Sequence, residues 1–528
     1  MNKEGKSPVP RTPIAQAVLR AYGEGKQDEL LEPYLLVSED GQPVGRVGKG
    51  DSVIFYNIRG EREIELTQAL TEKDFPHFET RDLDLAFTTM IRYRKDLDAR
   101  IAFPPEEGLA NTLAEVLSKR GKRVVKITEA EKAVHLAYFL NGKREEPFAG
   151  EERIVVPTRK DVATFDEAPE MSAEGVTAET CRALADESAD VIAVNLCNVD
   201  VVGHYENEQS VLKAIETVDA SLGKIIACAR ERGVASLITA DHGTVEHWLY
   251  PEGAKDTGHT SSPVPCIIDF RDTGFKLRDK ASLSDVAPTI LDILQIPNPP
   301  EMTGESLIKG QSPSSNRALF LILDGWGHSD SDYGNMISKA ATPNFDRLWN
   351  NSPHTLITAS GEDVGMPAGS VGNSEVGHLH LGAGRTVLSD RLRIDRSIED
   401  GSFADNEAFL WAVNQANRRN SALHLLGIVS FYSSHGSVKH LQALMRLCKS
   451  EGVSPVYIHG MLGRRGERPE AGARYMGMLE EECAELGVGK VAGVIGRYWS
   501  MDREENWDRI ERTYRWLVEG EGVKVYPR

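Results

Sequence analysis

Short apolar runs that alternate with helical segments are the feature that most constrains the fold of this 528-residue chain. Runs such as "RVVKITEA", "VIAVNLCN" and "ASLITADHG" are separated by stretches with helical spacing, for example "SVLKAIETVDASLGKIIACARERG". Strands that are buried on both faces read as continuous apolar runs, and the intervening segments are long enough to be crossover helices. The alternation therefore predicts an α/β fold with mainly parallel sheets covered by helices.

Length and proline content predict more than one domain. A chain of this length exceeds what a single hydrophobic core usually serves. A double proline in "IAFPPEEG" fixes the backbone and indicates a boundary near residue 105. Proline, glycine and serine cluster at about 297–317, as in a linker. The strand "ALFLILDGWG" at 318–327 then has the form of a domain opening, although it begins more than halfway along the chain.

Composition excludes several classes of partner. A net charge of −19 argues against non-specific binding to nucleic acid or an anionic membrane. The sequence shows no signal peptide and no apolar stretch of about 18 residues, so we expect a cytoplasmic protein without a transmembrane helix. None of the cysteines forms a CxxC pair, and we expect reduced thiols rather than disulfides or zinc ligands. The six are Cys181, Cys197, Cys228, Cys266, Cys448 and Cys483.

Acidic residues and histidines follow the apolar runs. In parallel α/β sheets the loops at the carboxyl ends of the strands form the ligand crevice. Three aspartates and three histidines that converge there would make a two-metal set, whose mixed oxygen and nitrogen ligands suit Mn²⁺ or Zn²⁺. Each residue alone is more often a cap or a satisfied core group, whereas their joint occurrence is specific. The set is Asp200, His204, Asp241, His242, His259 and Asp324.

A glycine-rich segment, "PAGSVGNSEVGHLHLGAG", carries Ser374. A serine before glutamate is most often a helix cap. The alternative is a nucleophile, which needs activation, for instance by a metal. A metal pair would also hold the attacking and leaving oxygens of a phosphoryl transfer.

Basic residues form a third group. Arginine side chains match the geometry of carboxylate and phosphate, although any one of them is more often solvated surface charge. The group is Arg59, Arg62, Lys132, Arg497 and Arg503.

Together these segments resemble the cofactor-independent (2,3-bisphosphoglycerate-independent) phosphoglycerate mutases of the alkaline-phosphatase superfamily. The resemblance covers nearly the whole chain and rests on long motifs, including "LILDGWG", "GNSEVGHLHLGAGR", "GRYWSMDR", "ITADHG" and "HTSSPVP". It implies two α/β domains, one phosphatase-like and one mutase (transferase) domain. It also implies a small phosphorylated carboxylate as substrate. We further expect a monomer, and the acidic net charge predicts no nucleic-acid or membrane partner.

The motif order implies a circular permutation. In the family "LILDGWG" stands near the amino terminus and the segment resembling "MTGESLI" near the carboxyl terminus, whereas here the two are joined. Chain termini often lie close together, so such a join is tolerated. The mutase domain would be assembled from residues 1–105 and 386–528, and the phosphatase-like domain would be continuous over 106–385.

The resemblance also assigns roles by position. Ser374 would be the phosphorylated nucleophile, and Lys132 would contact the transferring phosphate. Two divalent ions are implied, with Mn²⁺ favoured and Zn²⁺, Co²⁺ or Mg²⁺ as alternatives. One ion would be bound by Asp200, His204 and His259. The other would be bound by Asp324, Ser374, Asp241 and His242. The substrate would be bound by Arg59, Arg62, His435, Arg465, Arg497 and Arg503.

Two segments depart from the family pattern. "SFYSSHGSVKH" replaces a "SDGGVHSH"-like stretch, and "GRRGERP" replaces "DGRDTPP", so that Gly466 stands where the family has an aspartate. Three functions stay open on the sequence alone. The chain could be the mutase itself, a related transferase that moves a phosphoryl or phosphonyl group to another glycerate-like acceptor, or a metal-dependent phosphatase. A non-catalytic binding role is a more distant fourth.

Overall fold

The computed structural model describes residues 11–105, 108–271, 274–431, 433–463 and 471–527. The chain forms two compact units. One comprises Met1–Pro105 with Asp390–Arg528, and the other comprises Glu106–Ser389. Each unit has a sheet of mostly parallel strands, so the predicted α/β class is confirmed. Among the described residues, no helix is both long and apolar enough to cross a membrane.

The strands of the described residues are numbered in chain order. They are β1 Tyr34–Leu36, β2 Ser52–Phe55, β3 Ala86–Ile91, β4 Arg100–Phe103, β5 Val124–Glu129, β6 Glu151–Val156, β7 Val191–Leu196, β8 Ala235–Thr239, β9 Val264–Asp269, β10 Lys276–Leu277, β11 Ile308–Lys309, β12 Ala318–Leu323, β13 His354–Ile357, β14 Leu423–Ile428, β15 Val456–Leu462, β16 Lys490–Gly496 and β17 Val523–Val525.

The α-helices are numbered in the same way. They are α1 Pro13–Gly23, α2 Ile64–Thr71, α3 Leu113–Lys119, α4 Ala173–Ala185, α5 Asn198–Gly203, α6 Glu208–Glu231, α7 Val286–Ile293, α8 Met336–Lys339, α9 Pro343–Asn351, α10 Ser374–Ala383, α11 Asp390–Asp400, α12 Glu407–Arg419, α13 Val438–Ser450, α14 Gly472–Leu486, α15 Arg497–Ser500 and α16 Trp507–Tyr514.

The unit Glu106–Ser389 is built on a seven-stranded sheet with the order β13-β9-β8-β12-β7-β5-β6. Strands β8, β12, β7, β5 and β6 are parallel, and β9 runs antiparallel to both of its neighbours. The "ALFLIL" strand, β12, is fully buried and pairs with β7 on one side and β8 on the other. The strand that reads like a domain opening is therefore the central strand of the sheet. It lies between β7 and β8, which both precede it in the chain.

The unit Met1–Pro105 with Asp390–Arg528 is built on an eight-stranded sheet with the order β17-β1-β16-β15-β14-β2-β3-β4. The two chain segments are interleaved, because β14 of the second segment pairs in parallel with β2 of the first. Apolar residues on both faces of this sheet form two buried clusters, one of which includes Ile54 and Leu425 and the other Phe55 and Leu426. The alternation of side chains along a strand sends neighbouring residues to opposite faces.

The cysteine prediction is wrong for two of the six residues. Cys181 on α4 and Cys228 on α6 form a disulfide, with Cα atoms 5.7 Å apart. The other four, Cys197, Cys266, Cys448 and Cys483, are buried free thiols, as predicted. The two paired cysteines are 47 residues apart and meet only because α4 packs along α6, which spacing alone does not reveal.

Candidate functional site

Three neighbouring strands of the seven-stranded sheet each end next to a buried aspartate. Asp324 directly follows β12, Asp241 follows β8 and Asp200 lies on α5, which follows β7. All three side chains are almost completely buried. Because parallel strands end at the same edge of the sheet, the three carboxylates converge there.

Ser374 is the first residue of α10 rather than its cap. Asn373 is the N-cap and accepts a hydrogen bond from the amide of Val376 at 2.9 Å. The hydroxyl of Ser374 is therefore not engaged in capping. The helix approaches β8 closely at Gly377, where a Cβ atom would lie 2.5 Å from the carbonyl oxygen of Asp241.

Lys132 follows β5 and reaches the same edge of the sheet. Its ammonium group lies 2.8 Å from Oδ2 of Asp200, 2.8 Å from Oδ1 of Asp324 and 2.5 Å from Oγ of Ser374. The ammonium thus donates to two aspartates and to the predicted nucleophile.

The three predicted histidines present their Nε2 atoms to this cluster. His242 Nε2 lies 3.0 Å from Oγ of Ser374, and His259 Nε2 lies 3.3 Å from Oδ1 of Asp200. His204 Nε2 lies 3.4 Å from the same oxygen and 3.2 Å from His259 Nε2. The structure therefore brings together all seven side chains that the sequence predicts as metal ligands. That these side chains bind metal, and which ion each of them would bind, remain predictions.

The Nδ1 atoms of these histidines face backbone carbonyls. The distances are 2.7 Å from His204 to Thr257, 3.2 Å from His242 to Gly243 and 3.0 Å from His259 to Gly372. A histidine that donates Nδ1–H to a carbonyl keeps an unprotonated Nε2, which is the form that ligates metals.

One residue of this cluster that was not predicted from the sequence is His378, one turn after Ser374 on α10. Its Nδ1 lies 2.8 Å from the carbonyl oxygen of Ser374 and 3.3 Å from Oδ2 of Asp241, and its Nε2 lies 3.0 Å from the side-chain nitrogen Nδ2 of Asn195. Both ring nitrogens thus contact protein atoms, and His378 also lies within reach of the carboxylates of Asp241 and Asp324. The i, i+4 spacing from Ser374 to His378 is the signal that could have revealed it.

The charges of the site shift the pKa values of its members. Burial by itself would lower the pKa of Lys132, but Asp324, Asp200 and Asp241 outweigh burial and raise it above its usual value. Burial opposes ionisation of Asp200, yet Lys132 and His242 hold its pKa well below the usual range. Burial and the neighbouring Asp241 raise the pKa of Asp324. Lys132 is therefore an ammonium at neutral pH.

The residues fit divalent cations. Three buried carboxylates surround one ammonium group, which leaves uncompensated negative charge in a low-dielectric interior. Oδ2 of Asp241 is buried and has no hydrogen-bond donor, although it lies among imidazole nitrogens. Two groups have ligand atoms within 4.8 Å of one another: Asp200, His242 and His259, and Asp241, Asp324 and His378. Carboxylate and imidazole ligands of this kind bind divalent ions such as Mn²⁺ and Zn²⁺.

The predicted substrate residues lie in the other unit, where most of them pair with acidic side chains. Arg59 and Arg503 both approach Oε1 of Glu61, at 3.4 and 3.3 Å. Arg62 donates to the carbonyl oxygen of Met501 at 3.1 Å. The ion pair between the nearly buried Arg497 and Glu29 spans 3.6 Å.

His435 is also buried, with Nδ1 3.3 Å from Oε1 of Glu63. The remaining predicted residue, Arg465, lies outside the described residues, as does Gly466.

Two family models match the chain. One, described as "Metalloenzyme superfamily", matches residues 28–298, and the chain therefore belongs to the metalloenzyme superfamily. The other, described as "BPG-independent PGAM N-terminus (iPGM_N)", matches residues 394–527. The second match agrees with the sequence motifs, which resemble those of the 2,3-bisphosphoglycerate-independent phosphoglycerate mutases.

Curated relatives carry the name of that family. A 2,3-bisphosphoglycerate-independent phosphoglycerate mutase of Methanococcoides burtonii is 44% identical over 298 residues, which are 56% of this chain and 57% of the relative. One of Clostridium botulinum is 42% identical over 292 residues, which are 55% of this chain and 57% of the relative. The chain thus spans little more than half the length of the curated relatives it matches.

A solved structure is also similar to part of the chain. It is described as "Crystal structures of Leishmania mexicana phosphoglycerate mutase at low cobalt concentration" and is 29% identical, with a TM-score of 0.37 over 52% of this chain and 53% of that one.

Proposed function

We propose that the chain is a metal-dependent phosphoglycerate mutase that transfers the phosphoryl group through a phosphoserine at Ser374. The observation that carries this proposal is the position of the Ser374 hydroxyl, which lies 2.5 Å from the ammonium of Lys132 and 3.0 Å from Nε2 of His242. The matches to the metalloenzyme and mutase family models, and the names of the relatives, support it.

The residues of the site have different roles in the proposed phosphoryl transfer. Divalent ions bound at the aspartates and histidines would stabilise negative charge on the phosphoryl oxygens. Ser374 Oγ gives up its proton and forms a bond to phosphorus, while the bond from phosphorus to the hydroxyl oxygen of the substrate breaks and that oxygen takes up a proton, so that the serine and the substrate exchange one proton for the phosphoryl group. Lys132 is protonated, so it stabilises negative charge on Oγ and on the phosphoryl group rather than accepting the proton of the serine. Transfer of the phosphoryl group from Ser374 to the other hydroxyl of the glycerate would complete the isomerisation.

The predicted substrate residues would recognise the anionic groups of a phosphoglycerate. Guanidinium groups bind phosphate and carboxylate with two parallel hydrogen bonds. In the free protein Glu61 lies against Arg59 and Arg503, and the anionic substrate would compete with this carboxylate for them. We also propose that Mn²⁺ is the ion used, and that the order of the motifs arose by circular permutation.

The test is an enolase-coupled assay of 3-phosphoglycerate isomerisation, after removal of metal with EDTA and re-addition of Mn²⁺. We expect activity that depends on Mn²⁺ and falls at least about a thousandfold in Ser374→Ala. The matched control is Ser370→Ala, which changes a serine of the same segment and should leave the rate unchanged. Mass spectrometry after incubation with substrate should locate phosphate on Ser374.

Other outcomes would overturn the proposal in distinct ways. Release of inorganic phosphate and glycerate, without 2-phosphoglycerate, would indicate a phosphatase. Absence of turnover in the wild type, with turnover gained in Gly466→Asp, would indicate a different acceptor. Phosphate on another residue, or labelling that persists in Ser374→Ala, would contradict the role of the serine.

A further inference from the structure

Glu246 is a completely buried carboxylate that lies behind the metal-ligand cluster. It belongs to the short 3-10 helix Val245–His247 that follows Asp241 and His242. Its Oε2 accepts a hydrogen bond from the backbone amide of Thr244 at 2.9 Å, and its Oε1 accepts one from the hydroxyl of Thr260.

Three ligand-bearing segments meet at this carboxylate. Thr260 directly follows His259, and Gly243 directly follows His242. The third segment reaches it at Gly327, shortly after Asp324 in "LDGWG". A Cβ atom at either glycine would overlap the carboxylate of Glu246, so the backbone of both segments packs directly on it.

Backbone hydrogen bonds also connect the loop of Thr260 to the segment that carries Ser374. The amide of Thr260 donates to the carbonyl of Gly243 at 3.0 Å, and the amide of Gly372 donates to the carbonyl of Thr260 at 3.1 Å. The carbonyl of Gly372 in turn lies 3.0 Å from Nδ1 of His259. The orientation of His259 thus depends on the same loop that the carboxylate of Glu246 anchors.

We propose that Glu246 is a positioning residue that fixes His242 and His259 relative to Asp324 and so sets the affinity of the site for divalent metal. This inference rests on the proposed metal-dependent function and deepens it. Residues that orient metal ligands typically contribute 10- to 100-fold to metal affinity or activity. Removal of the carboxylate would leave the Thr244 amide and the Thr260 hydroxyl without their acceptor in a buried place, and the loops would relax to satisfy them.

The experiment measures Mn²⁺ affinity by isothermal titration calorimetry of metal-free protein, in parallel with turnover. We expect Glu246→Ala to weaken Mn²⁺ binding about 10- to 100-fold. Glu246→Gln should stay within about threefold of the wild type, because its amide can accept from the Thr244 amide and donate to the Thr260 hydroxyl. Thr260→Val removes only the hydroxyl and should be intermediate, whereas Thr260→Ser should restore wild-type affinity.

A matched control separates positioning from general destabilisation. Glu480 is a half-buried carboxylate in the other unit that accepts from the backbone amides of Ile14 and Ala15. Glu480→Ala should lower the melting temperature without changing Mn²⁺ affinity. Wild-type Mn²⁺ affinity in both Glu246→Ala and Thr260→Val would overturn the proposal. If Glu246→Ala does not fold, wild-type Mn²⁺ affinity in Thr260→Val is sufficient to overturn it. Absence of Mn²⁺ binding or turnover in the wild type would instead refute the proposed function.

Discussion

The ammonium nitrogen of Lys132 lies 2.8 Å from Oδ1 of Asp324, the carboxylate that directly follows the central strand β12. Both side chains are buried, and Asp200 accepts from the same ammonium. Lys132 therefore supplies the positive charge that the buried carboxylates need when no metal is bound.

Lys132→Met should destabilise the metal-free protein. The substitution keeps most of the side-chain volume but leaves buried carboxylates unpaired, which typically costs about 3–5 kcal/mol. Because bound Mn²⁺ would restore the missing positive charge, we expect the metal-induced rise in melting temperature to be larger in the variant than in the wild type. Thermal unfolding in EDTA and in Mn²⁺ measures both effects.

Lys122→Met is the control for this prediction. Lys122 also pairs with an aspartate at 2.8 Å, Asp190, but the pair is partly exposed to solvent. Such pairs contribute about 0–1 kcal/mol. Equal losses of stability in the two variants would show that the buried charge of Lys132 has no special role.

Gly377→Ala should displace the helix that carries Ser374. The added methyl group would lie 2.5 Å from the carbonyl oxygen of Asp241, so α10 must move away from β8. A misplacement of about 1 Å in a catalytic group can cost about a hundredfold in rate. We expect kcat to fall by about 10- to 100-fold in the enolase-coupled assay. In the control Gly23→Ala, at the end of α1, the new methyl group meets no atom within 4 Å and kcat should not change.

A buried chain of hydrogen-bonded side chains should make stability fall in mild acid. His459 is almost completely buried, with Nε2 3.0 Å from Nδ1 of His424, whose Nε2 lies 3.1 Å from Oδ2 of Asp51. Burial, with the neighbouring His424, lowers the pKa of His459 well below its usual value. Below a pH of about 6.5 the unfolded chain therefore binds a proton at His459 that the folded protein does not. The free energy of unfolding then decreases as the pH falls, by at most about 1.4 kcal/mol per pH unit.

Urea unfolding between pH 5 and 8 in constant EDTA tests this prediction. His459→Gln cannot titrate, so the decrease below pH 6.5 should be smaller in this variant than in the wild type. His77→Gln replaces an exposed histidine of the same unit and should retain the wild-type pH dependence. An unchanged pH dependence in His459→Gln would contradict the assignment.

The disulfide between Cys181 and Cys228 predicts a definite thiol count. Alkylation of the urea-unfolded protein should modify four cysteines without reductant and six after reduction. A cross-link that closes a loop of this length typically stabilises by about 2–4 kcal/mol, so reduction should lower the urea midpoint. The double variant Cys181→Ser with Cys228→Ser should not respond to reductant. Six reactive thiols in the untreated protein would refute the cross-link.

The sequence by itself determined the class of the fold and the side chains that gather at one edge of a sheet. Continuous apolar runs predict buried parallel strands, and a residue that follows such a strand must lie at the carboxyl edge. Asp200, Asp241 and Asp324 could therefore be identified as neighbours although they are far apart in the chain. The roles of all the predicted site residues stay predictions, and Arg465 and Gly466 also lie outside the described ranges.

Only the tertiary structure decided which other side chains join the site and how strands are ordered. It places β12 between β7 and β8, gives the cap of α10 to Asn373, and brings His378 and Glu246 behind the ligands. It also pairs Cys181 with Cys228. The physical reason is that these contacts depend on how helices and loops pack across the sheet, whereas local apolar patterning specifies only where an element forms and which of its faces is buried.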